Sequence, residues 1–290
     1  MNREDMNIQW YPGHMTKTRR QLEKDLKQVD VVCEIVDARI PASSRNPDID
    51  AICGNKPRVM VLNRMDLADP EATKRWADYF RGLGMAVVVT DCKSRRGIGD
   101  FLPTVRSVLK EKLERDAARG MSRPVKVMVV GIPNVGKSTL LNQIAGRSGA
   151  KAENRPGVTR GKQWVTADSG LLLLDTPGIL WPKFEDPNAG LLLAYTGAVK
   201  ENIIDQEELA ARLMELLWKR YPQVVRQRYG VDADADASGY DLLEAVGRKR
   251  GFLIAGGEIH TERVAKVLLN EYRAGKLGRL TLEEPGASEL

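Results

Sequence analysis

One glycine-rich stretch carries residues suited to holding phosphate groups. Residues 131–138 read GIPNVGKS and fit the pattern G-x-x-x-x-G-K-[ST], between an apolar run and a helix-forming segment, the context that this pattern requires. In such a loop backbone N–H groups surround phosphate oxygens, the lysine reaches the β- and γ-phosphates and the serine ligates Mg²⁺. Lys137 is therefore predicted to be catalytic as well as phosphate-binding. The predicted contacts are Asn134, Val135, Gly136, Lys137, Ser138 and Thr139.

A second motif, NRMD at residues 63–66, predicts which base is bound. It resembles the N-K-x-D base-reading motif of GTPases, with Arg64 in place of lysine. The Asp66 carboxylate can accept hydrogen bonds from N1–H and the 2-amino group of guanine, whereas adenine would leave a buried charge unpaired. We therefore predict guanine contacts from Asn63, Arg64 and Asp66. Asp91 and Cys92, in TDCKSRRG, lie where a second base-contacting loop should be and match its usual S-A-K loosely.

A carboxylate and a threonine complete a predicted magnesium site. DTPG at residues 175–178 follows an apolar run, and this strand-then-D-x-x-G form places Asp175 near Mg²⁺ and the Gly178 N–H at the γ-phosphate. Thr159, in RPGVTRG, is the predicted switch threonine that closes on Mg²⁺ in the triphosphate state. Ser138, Thr159 and Asp175 are therefore the predicted Mg²⁺ ligands.

The segments around these motifs predict an α/β fold. Apolar runs alternate with helical patterns up to about residue 180, which predicts a mainly parallel sheet flanked by helices. Helical spacing alone follows, and it predicts a smaller all-α domain. We therefore predict a domain that carries these motifs, with an N-terminal leader, at 1–182 and a helical domain at 183–290, whose final residues, TLEEPGASEL, are predicted to be frayed.

The order of the motifs is that of a circularly permuted GTPase. An ordinary GTPase runs from P-loop to switch threonine, D-x-x-G and then the base-reading motifs, whereas here NRMD and TDCK precede the P-loop and DTPG comes last. The chain that leaves the DTPG switch therefore enters the helical domain. This order predicts that the nucleotide state biases the pose of that domain.

Composition favours a soluble cytoplasmic protein, and its modest positive charge is compatible with an anionic partner without requiring one. The chain of 290 residues is 42% hydrophobic with a formal net charge of +6, and no apolar run approaches the roughly 20 residues that span a bilayer. Three scattered cysteines indicate free thiols in a reducing compartment. Basic runs at 219–228 and 248–250 could contact RNA phosphates, and the nearby aromatic residues could equally stack on bases or pack in a helical core.

The motif order, the leader WYPGHMTKTRR and the helical tail resemble the YlqF/RbgA family of circularly permuted GTPases. This resemblance implies a GTPase with GTP as substrate, Mg²⁺ as cofactor, a role in late assembly of the large ribosomal subunit, and rRNA contacts from the helical domain. We expect a monomer that binds no membrane. Arg64 and the loose Asp91-Cys92-Lys93 segment depart from the family pattern.

The resemblance also bears on the catalytic group. Ile179 follows DTPG, where many GTPases place a water-orienting glutamine. Asn134 matches an asparagine that ligates K⁺ in potassium-dependent GTPases. The family's histidine corresponding to His14 is proposed to act at the attacking water, so the resemblance implies that His14 is catalytic. Two alternatives stay open: a nucleotide-gated RNA-binding scaffold with negligible turnover, which Ile179 supports, and a P-loop kinase or metabolic enzyme, which NRMD disfavours.

Overall fold

The structure, a computed structural model, describes residues 15–146, 163–167, 170–178, 187–199 and 205–286. The first part of the chain is built on a six-stranded sheet of order β3-β2-β1-β4-β6-β5, in which every neighbouring pair is parallel except β5 with β6. The predicted mainly parallel sheet is confirmed. Its strands are β1 (Val31–Asp37), β2 (Arg58–Asn63), β3 (Ala86–Val89), β4 (Val125–Val130), β5 (Gln163–Ala167) and β6 (Leu171–Asp175).

Helices cover both faces of this sheet, as a parallel sheet requires. Val32 and Val36, on one face of β1, belong to apolar clusters that include residues of α1, α2 and α3, while Cys33 and Ile35 on the other face are equally buried. Helix α4 packs against β2 and β3, and α6 packs against β5 and β6. The helices are α1 (Met15–Leu26), α2 (Asp48–Cys53), α3 (Pro70–Gly82), α4 (Phe101–Val108), α5 (Lys110–Ala118) and α6 (Lys137–Ala145).

The segment that joins β3 to β4 is fixed to the start of β1 by Asp30. Its carboxylate accepts hydrogen bonds from Lys112 Nζ at 2.6 Å, from the Lys126 backbone N–H at 2.9 Å and from the Arg123 guanidinium at 3.1 Å. Burial alone raises the pKa of Asp30, but these hydrogen bonds outweigh it and hold the pKa below its ordinary value. Ion pairs with Asp30 therefore hold the β3–β4 connection, which is the segment that joins the two halves of the permuted motif order, against the start of β1.

A second compact unit, Gly190–Leu280, is helical. The helical character predicted for this part of the chain is confirmed. Gly239, the first residue of α10 (Gly239–Arg250), lies so near α8 (Gln206–Arg220) that an added Cβ would be 2.0 Å from the Ala211 carbonyl oxygen. The sequence did not predict the isolated β-bridge between Leu253 and Ile259. The helices of this part are α7 (Pro187–Tyr195), which begins before the unit, α8 (Gln206–Arg220), α9 (Pro222–Tyr229), α10 (Gly239–Arg250) and α11 (Thr261–Arg273).

The aromatic residues of the helical unit divide between core and surface. Trp218 and Tyr229 are buried, whereas Tyr240 is 52% exposed. Arg226 lies over the Trp218 ring at 4.8 Å and Arg250 over the Tyr229 ring at 5.3 Å. Helix-core packing therefore accounts for Trp218 and Tyr229, and of these three rings only Tyr240 keeps an open face.

The chain returns to the first unit after the helical unit. The compact units are Met1–Ala189 with Thr281–Leu290, and Gly190–Leu280. Residues 281–284 are not frayed, because Leu282 is fully buried and donates its backbone N–H to the Arg39 carbonyl at 2.8 Å. Residues 281–284 are too few to show a hydrophobic periodicity, so the sequence gives no signal that this segment packs against the first unit. Among the residues that the structure describes, no helix has the length and apolarity to cross a bilayer.

Candidate nucleotide-binding site

The predicted motifs meet at one edge of the sheet. The glycine-rich loop follows β4, DTPG begins at the last residue of β6, NRMD begins at the last residue of β2, and TDCK follows β3. These four strands are parallel within one sheet, so their carboxyl ends open on the same side, where α/β sheets bind ligands. The fold therefore brings together motifs that are up to 115 residues apart.

The phosphate loop needs glycine at two close approaches. A Cβ on Gly136 would lie 2.3 Å from Asn63 Nδ2, and one on Gly131 would lie 2.5 Å from the Ile35 carbonyl oxygen. Gly136 also has φ of 108°, which side chains disfavour, and helix α6 begins at the next residue. The helix N-terminus thus faces the loop, as anion binding requires.

Lys137 curls over its own loop. Its Nζ donates hydrogen bonds to the carbonyl oxygens of Ile132 at 2.7 Å and Gly131 at 3.0 Å, and the residue is buried. Burial lowers the pKa of Lys137 to about 8, while the nearby Asp175 carboxylate acts in the opposite direction. This ammonium is therefore positioned at the centre of the loop, in an environment that favours a neighbouring anion.

The DTPG residues lie beside the phosphate loop. Asp175 is paired in register with Val129, and the Thr176 hydroxyl donates to the Val129 carbonyl at 2.7 Å. A Cβ on Gly178 would lie 2.8 Å from Pro133 Cα and 3.1 Å from Lys137 Nζ, so this glycine directly adjoins the loop. Asp175 and the half-buried Ser138 supply carboxylate and hydroxyl oxygens, which suit Mg²⁺.

Asn63 holds three loops together. Its Nδ2 donates to the Val135 carbonyl at 2.8 Å, and its Oδ1 accepts from Thr90 Oγ1 at 3.2 Å and from the Cys92 backbone N–H at 3.1 Å. The amide is thus engaged between the phosphate loop and the segment after β3. Its contribution to the site is to position the loops on either side of it.

Arg64 links the base-reading loop to the phosphate loop. Its Nη2 donates to the Asn134 backbone carbonyl at 2.6 Å, and its Nε lies 3.7 Å from Asp37 Oδ2. Both Arg64 and Asn134 have left-handed backbones, with φ of 65° and 58°. The half-buried Asp66 follows two residues later on the same loop.

The Asp91–Cys92 segment has a defined turn. Asp91 Oδ1 accepts from the backbone N–H groups of Lys93 at 3.0 Å and Ser94 at 3.2 Å, so its carboxylate shapes its own turn. Burial raises the pKa of the Cys92 thiol to about 11, which keeps it neutral. In this structure the contribution of Cys92 is its backbone N–H, which binds Asn63.

Asp37 and Arg39 were not predicted as site residues. Arg39 is almost fully buried and donates from Nε and Nη2 to the two Asp37 oxygens at 3.0 and 2.8 Å. Burial alone raises the pKa of Asp37, but the guanidinium of Arg39 outweighs it and lowers the pKa. The available signal was a charged pair, two residues apart, at the end of an apolar strand in VDVVCEIVDARIP.

Three predicted positions lie outside the described residues: His14, Thr159 and Ile179. The remaining predicted residues are described, and the contacts above place Asn63, Arg64, Asn134 and Lys137 within one set of loops. Among the described ranges, no cluster of three or more histidine, cysteine or acidic side chains could hold a metal ion.

Comparison with known proteins gives concordant matches. A family model described as 50S ribosome-binding GTPase matches residues 126–223. Ribosome biogenesis GTPase A of Priestia megaterium is 44% identical over 286 residues, which are 98% of this chain and 99% of that protein. The GDP-bound structure of TM YlqF has a TM-score of 0.65 at 27% identity, covering 92% of this chain and 99% of that one. GNP-bound YlqF from T. maritima has a TM-score of 0.64 at 26% identity, covering 93% and 99%.

Proposed function

Because the chain belongs to the family of ribosome biogenesis GTPase A, the YlqF/RbgA family, we propose that it binds GTP at the carboxyl edge of β4, β6 and β2. It hydrolyses GTP to GDP and phosphate and acts in late assembly of the large ribosomal subunit. The observation that supports this most is the meeting of the phosphate loop, DTPG and NRMD at one sheet edge. The permuted order is compatible with this site, because the strands that lead into the motifs are parallel within one sheet and end at the same edge.

Different groups of the protein bind the phosphates, Mg²⁺ and the guanine base. The N–H groups of the phosphate loop and the Lys137 ammonium hold the β- and γ-phosphates, and Gly178 adjoins them. Ser138, Thr159 and Asp175 would hold Mg²⁺, which neutralises charge on the phosphate oxygens when bound. Asp66 reads the guanine edge, while Asn63 and Arg64 fix its loop against the phosphate loop.

Two groups are proposed to replace the missing glutamine after DTPG. K⁺ at Asn134 would neutralise charge that develops between the β- and γ-phosphates. His14 would accept a hydrogen bond from the attacking water, since a neutral imidazole can act as a base near pH 7. The large subunit would bring His14 to the site, so turnover would depend on the assembly state of the ribosome.

The helical unit is proposed to contact rRNA. The basic runs at the ends of α8 and α10 supply cations, and Tyr240 supplies an exposed ring for base stacking. Ribosome assembly takes place in the cytoplasm, which is the compartment that we propose, with the protein acting as a monomer.

A turnover assay tests this function. GTP and ATP hydrolysis are measured with K⁺ or Na⁺, with and without purified large subunits, and we expect GTP turnover to be fastest with K⁺ and subunits together. His14→Ala should lose the stimulation and keep GDP binding, while His260→Ala, the other histidine, serves as the matched control. GTP turnover that stays negligible under every condition would favour the nucleotide-gated RNA-binding scaffold instead.

A further inference from the structure

Residues 281–284, which we call the return segment, lie against the loop that carries the base-reading residues and against the turn after β1. The segment follows the helical unit in the chain but belongs to the first compact unit. Thr281, Leu282 and Glu283 are all buried, although two of them are polar. Buried polar side chains need hydrogen-bond partners, and here the partners lie in the loops after β1 and β2.

The Thr281 hydroxyl bridges these two loops. It accepts a hydrogen bond from the Asp69 backbone N–H at 3.1 Å and donates to the Ala38 carbonyl at 3.3 Å. Asp69 is the N-cap of α3 and ends the loop that begins at Asn63. One hydroxyl group therefore connects the far end of the base-reading loop to the turn that follows β1.

Glu283 fixes the turn after β1. Its carboxylate accepts hydrogen bonds from the backbone N–H groups of Ala42 at 2.7 Å and Ser43 at 3.0 Å, and from the Ser43 hydroxyl. Ser44 then folds this turn back on the strand, because its Oγ accepts the Asp37 backbone N–H at 2.9 Å. Charge-assisted hydrogen bonds of this kind are stronger than those between neutral groups.

The turn after β1 is connected to the nucleotide site through the buried charges of Arg39 and Asp37. The Leu282 N–H holds the Arg39 carbonyl, and the Arg39 guanidinium holds the Asp37 carboxylate in a two-point contact. Asp37 in turn lies 3.7 Å from Arg64, which is bonded to Asn134 in the phosphate loop. A continuous set of contacts thus connects the return segment to both ends of the base-reading loop.

We propose that Thr281 and Glu283 are positioning residues for guanine recognition. By tying the base-reading loop to the turn after β1, they hold Asp66 where it meets the guanine edge, without contacting the nucleotide. The proposal rests on the proposed function, since it takes guanine to bind at residues 63–66. It predicts that loss of these ties weakens recognition of the base more than binding of phosphate.

The test compares three probes on the full-length protein. Binding of GDP, of inosine diphosphate (which lacks the 2-amino group) and of pyrophosphate is measured for wild type, Thr281→Val, Thr281→Ser, Glu283→Gln and Glu284→Gln. Valine keeps the shape of threonine but removes the hydroxyl. Serine restores it, and Glu284→Gln removes only the exposed ion pair with Arg75.

We expect Thr281→Val to bind GDP about fivefold more weakly, the factor that corresponds to one buried hydrogen bond. Its preference for GDP over inosine diphosphate should fall towards one, while pyrophosphate binding stays unchanged. Thr281→Ser and Glu284→Gln should behave as wild type. Glu283→Gln should show the same loss of GDP affinity and of preference for GDP as Thr281→Val. It is the variant that tests the inference if Thr281→Val does not fold.

Two results would overturn the inference: an unchanged preference for GDP in Thr281→Val and Glu283→Gln, or an equal loss for all three probes, which would indicate a general structural defect. Failure of the proposed function looks different, because wild type itself would then bind GDP no better than inosine diphosphate or ADP.

Discussion

At the scale of single residues, the enclosed ammonium of Lys137 links nucleotide binding to pH. Burial lowers the pKa of this lysine to about 8, from the 10.5 that it has in the unfolded chain. Its charged form is therefore disfavoured in the folded protein. Because the unfolded chain binds more protons between these two pKa values, the free energy of unfolding increases as pH rises from about 8 to about 10.5. A bound phosphate reverses the preference, because it stabilises the ammonium.

We therefore expect GDP binding at pH 8.5 to take up a fraction of a proton. Calorimetric titration in two buffers of different ionisation enthalpy measures that uptake. Lys137→Arg is the matched control, since a guanidinium does not titrate in this range. Equal uptake by the arginine variant and by wild type would assign the proton to another group.

The buried pair of Asp37 and Arg39 predicts a large loss of stability when one partner is removed. Arg39→Met leaves the Asp37 carboxylate buried without its two-point contact, which costs about 3–5 kcal/mol in comparable pairs. Chemical denaturation of wild type and variant measures the difference. Arg81→Met, which breaks the exposed pair with Asp78, should leave the unfolding midpoint unchanged.

At the scale of elements, the turn between β3 and α4 depends on one glycine. Gly97 has φ of 74°, and an added Cβ would lie 2.0 Å from the Val89 carbonyl oxygen. Gly84 has a similar φ of 79° but nothing within 4 Å of its Cβ position. Comparing alanine substitutions at Gly84 and Gly97 therefore distinguishes the cost of backbone strain, which both carry, from the cost of steric clash, which only Gly97 carries.

We expect Gly84→Ala to lower the free energy of unfolding by about 1 kcal/mol, and Gly97→Ala to lower it more than twice as far. Gly97→Ala should also weaken GDP binding, because the backbone near Cys92 would move away from Asn63. Urea unfolding and a GDP titration measure both effects. A Gly97→Ala variant as stable as Gly84→Ala would show that the turn relaxes without cost.

Motif spacing and periodicity predicted the mainly parallel sheet and the helical second part of the chain, because both leave patterns in the local sequence. They did not predict that Asn63 ties three loops together or that Asp91 shapes its own turn. Those roles depend on which backbone groups come within about 3 Å after folding. Docking of Thr281 and Glu283 was missed for the same reason, since partners about 240 residues away leave no local pattern.

At the scale of the whole molecule, the helical unit (Gly190–Leu280) has nearly equal numbers of opposite charges, 14 Lys and Arg against 13 Asp and Glu. Several of its basic residues are already paired: Lys219 with Glu215, Arg226 with Asp232, and Arg228 with Glu271. Lys249 is exposed in the basic run at the end of α10. An RNA surface on this unit therefore depends on a few positions rather than on net charge.

We expect rRNA binding to weaken steeply with salt, with the slope of log affinity against log salt reduced by about one in Lys249→Gln. Lys266→Gln, which breaks an exposed pair with Glu262, should change the slope less. Filter binding at several salt concentrations measures both. Binding that is flat across the salt range would rule out phosphate contacts.

The return segment has a consequence for how the protein is made. Translation proceeds from the N-terminus, so the phosphate loop, DTPG and NRMD are all synthesised before residues 281–284, with the whole helical unit in between. If the base-reading loop needs Thr281 and Glu283, a nascent chain that lacks residues 281–284 discriminates guanine poorly, although its phosphate loop is already made. Full preference for guanine is then reached only after the helical unit and residues 281–284 have been synthesised, so selectivity for the base develops later than phosphate binding.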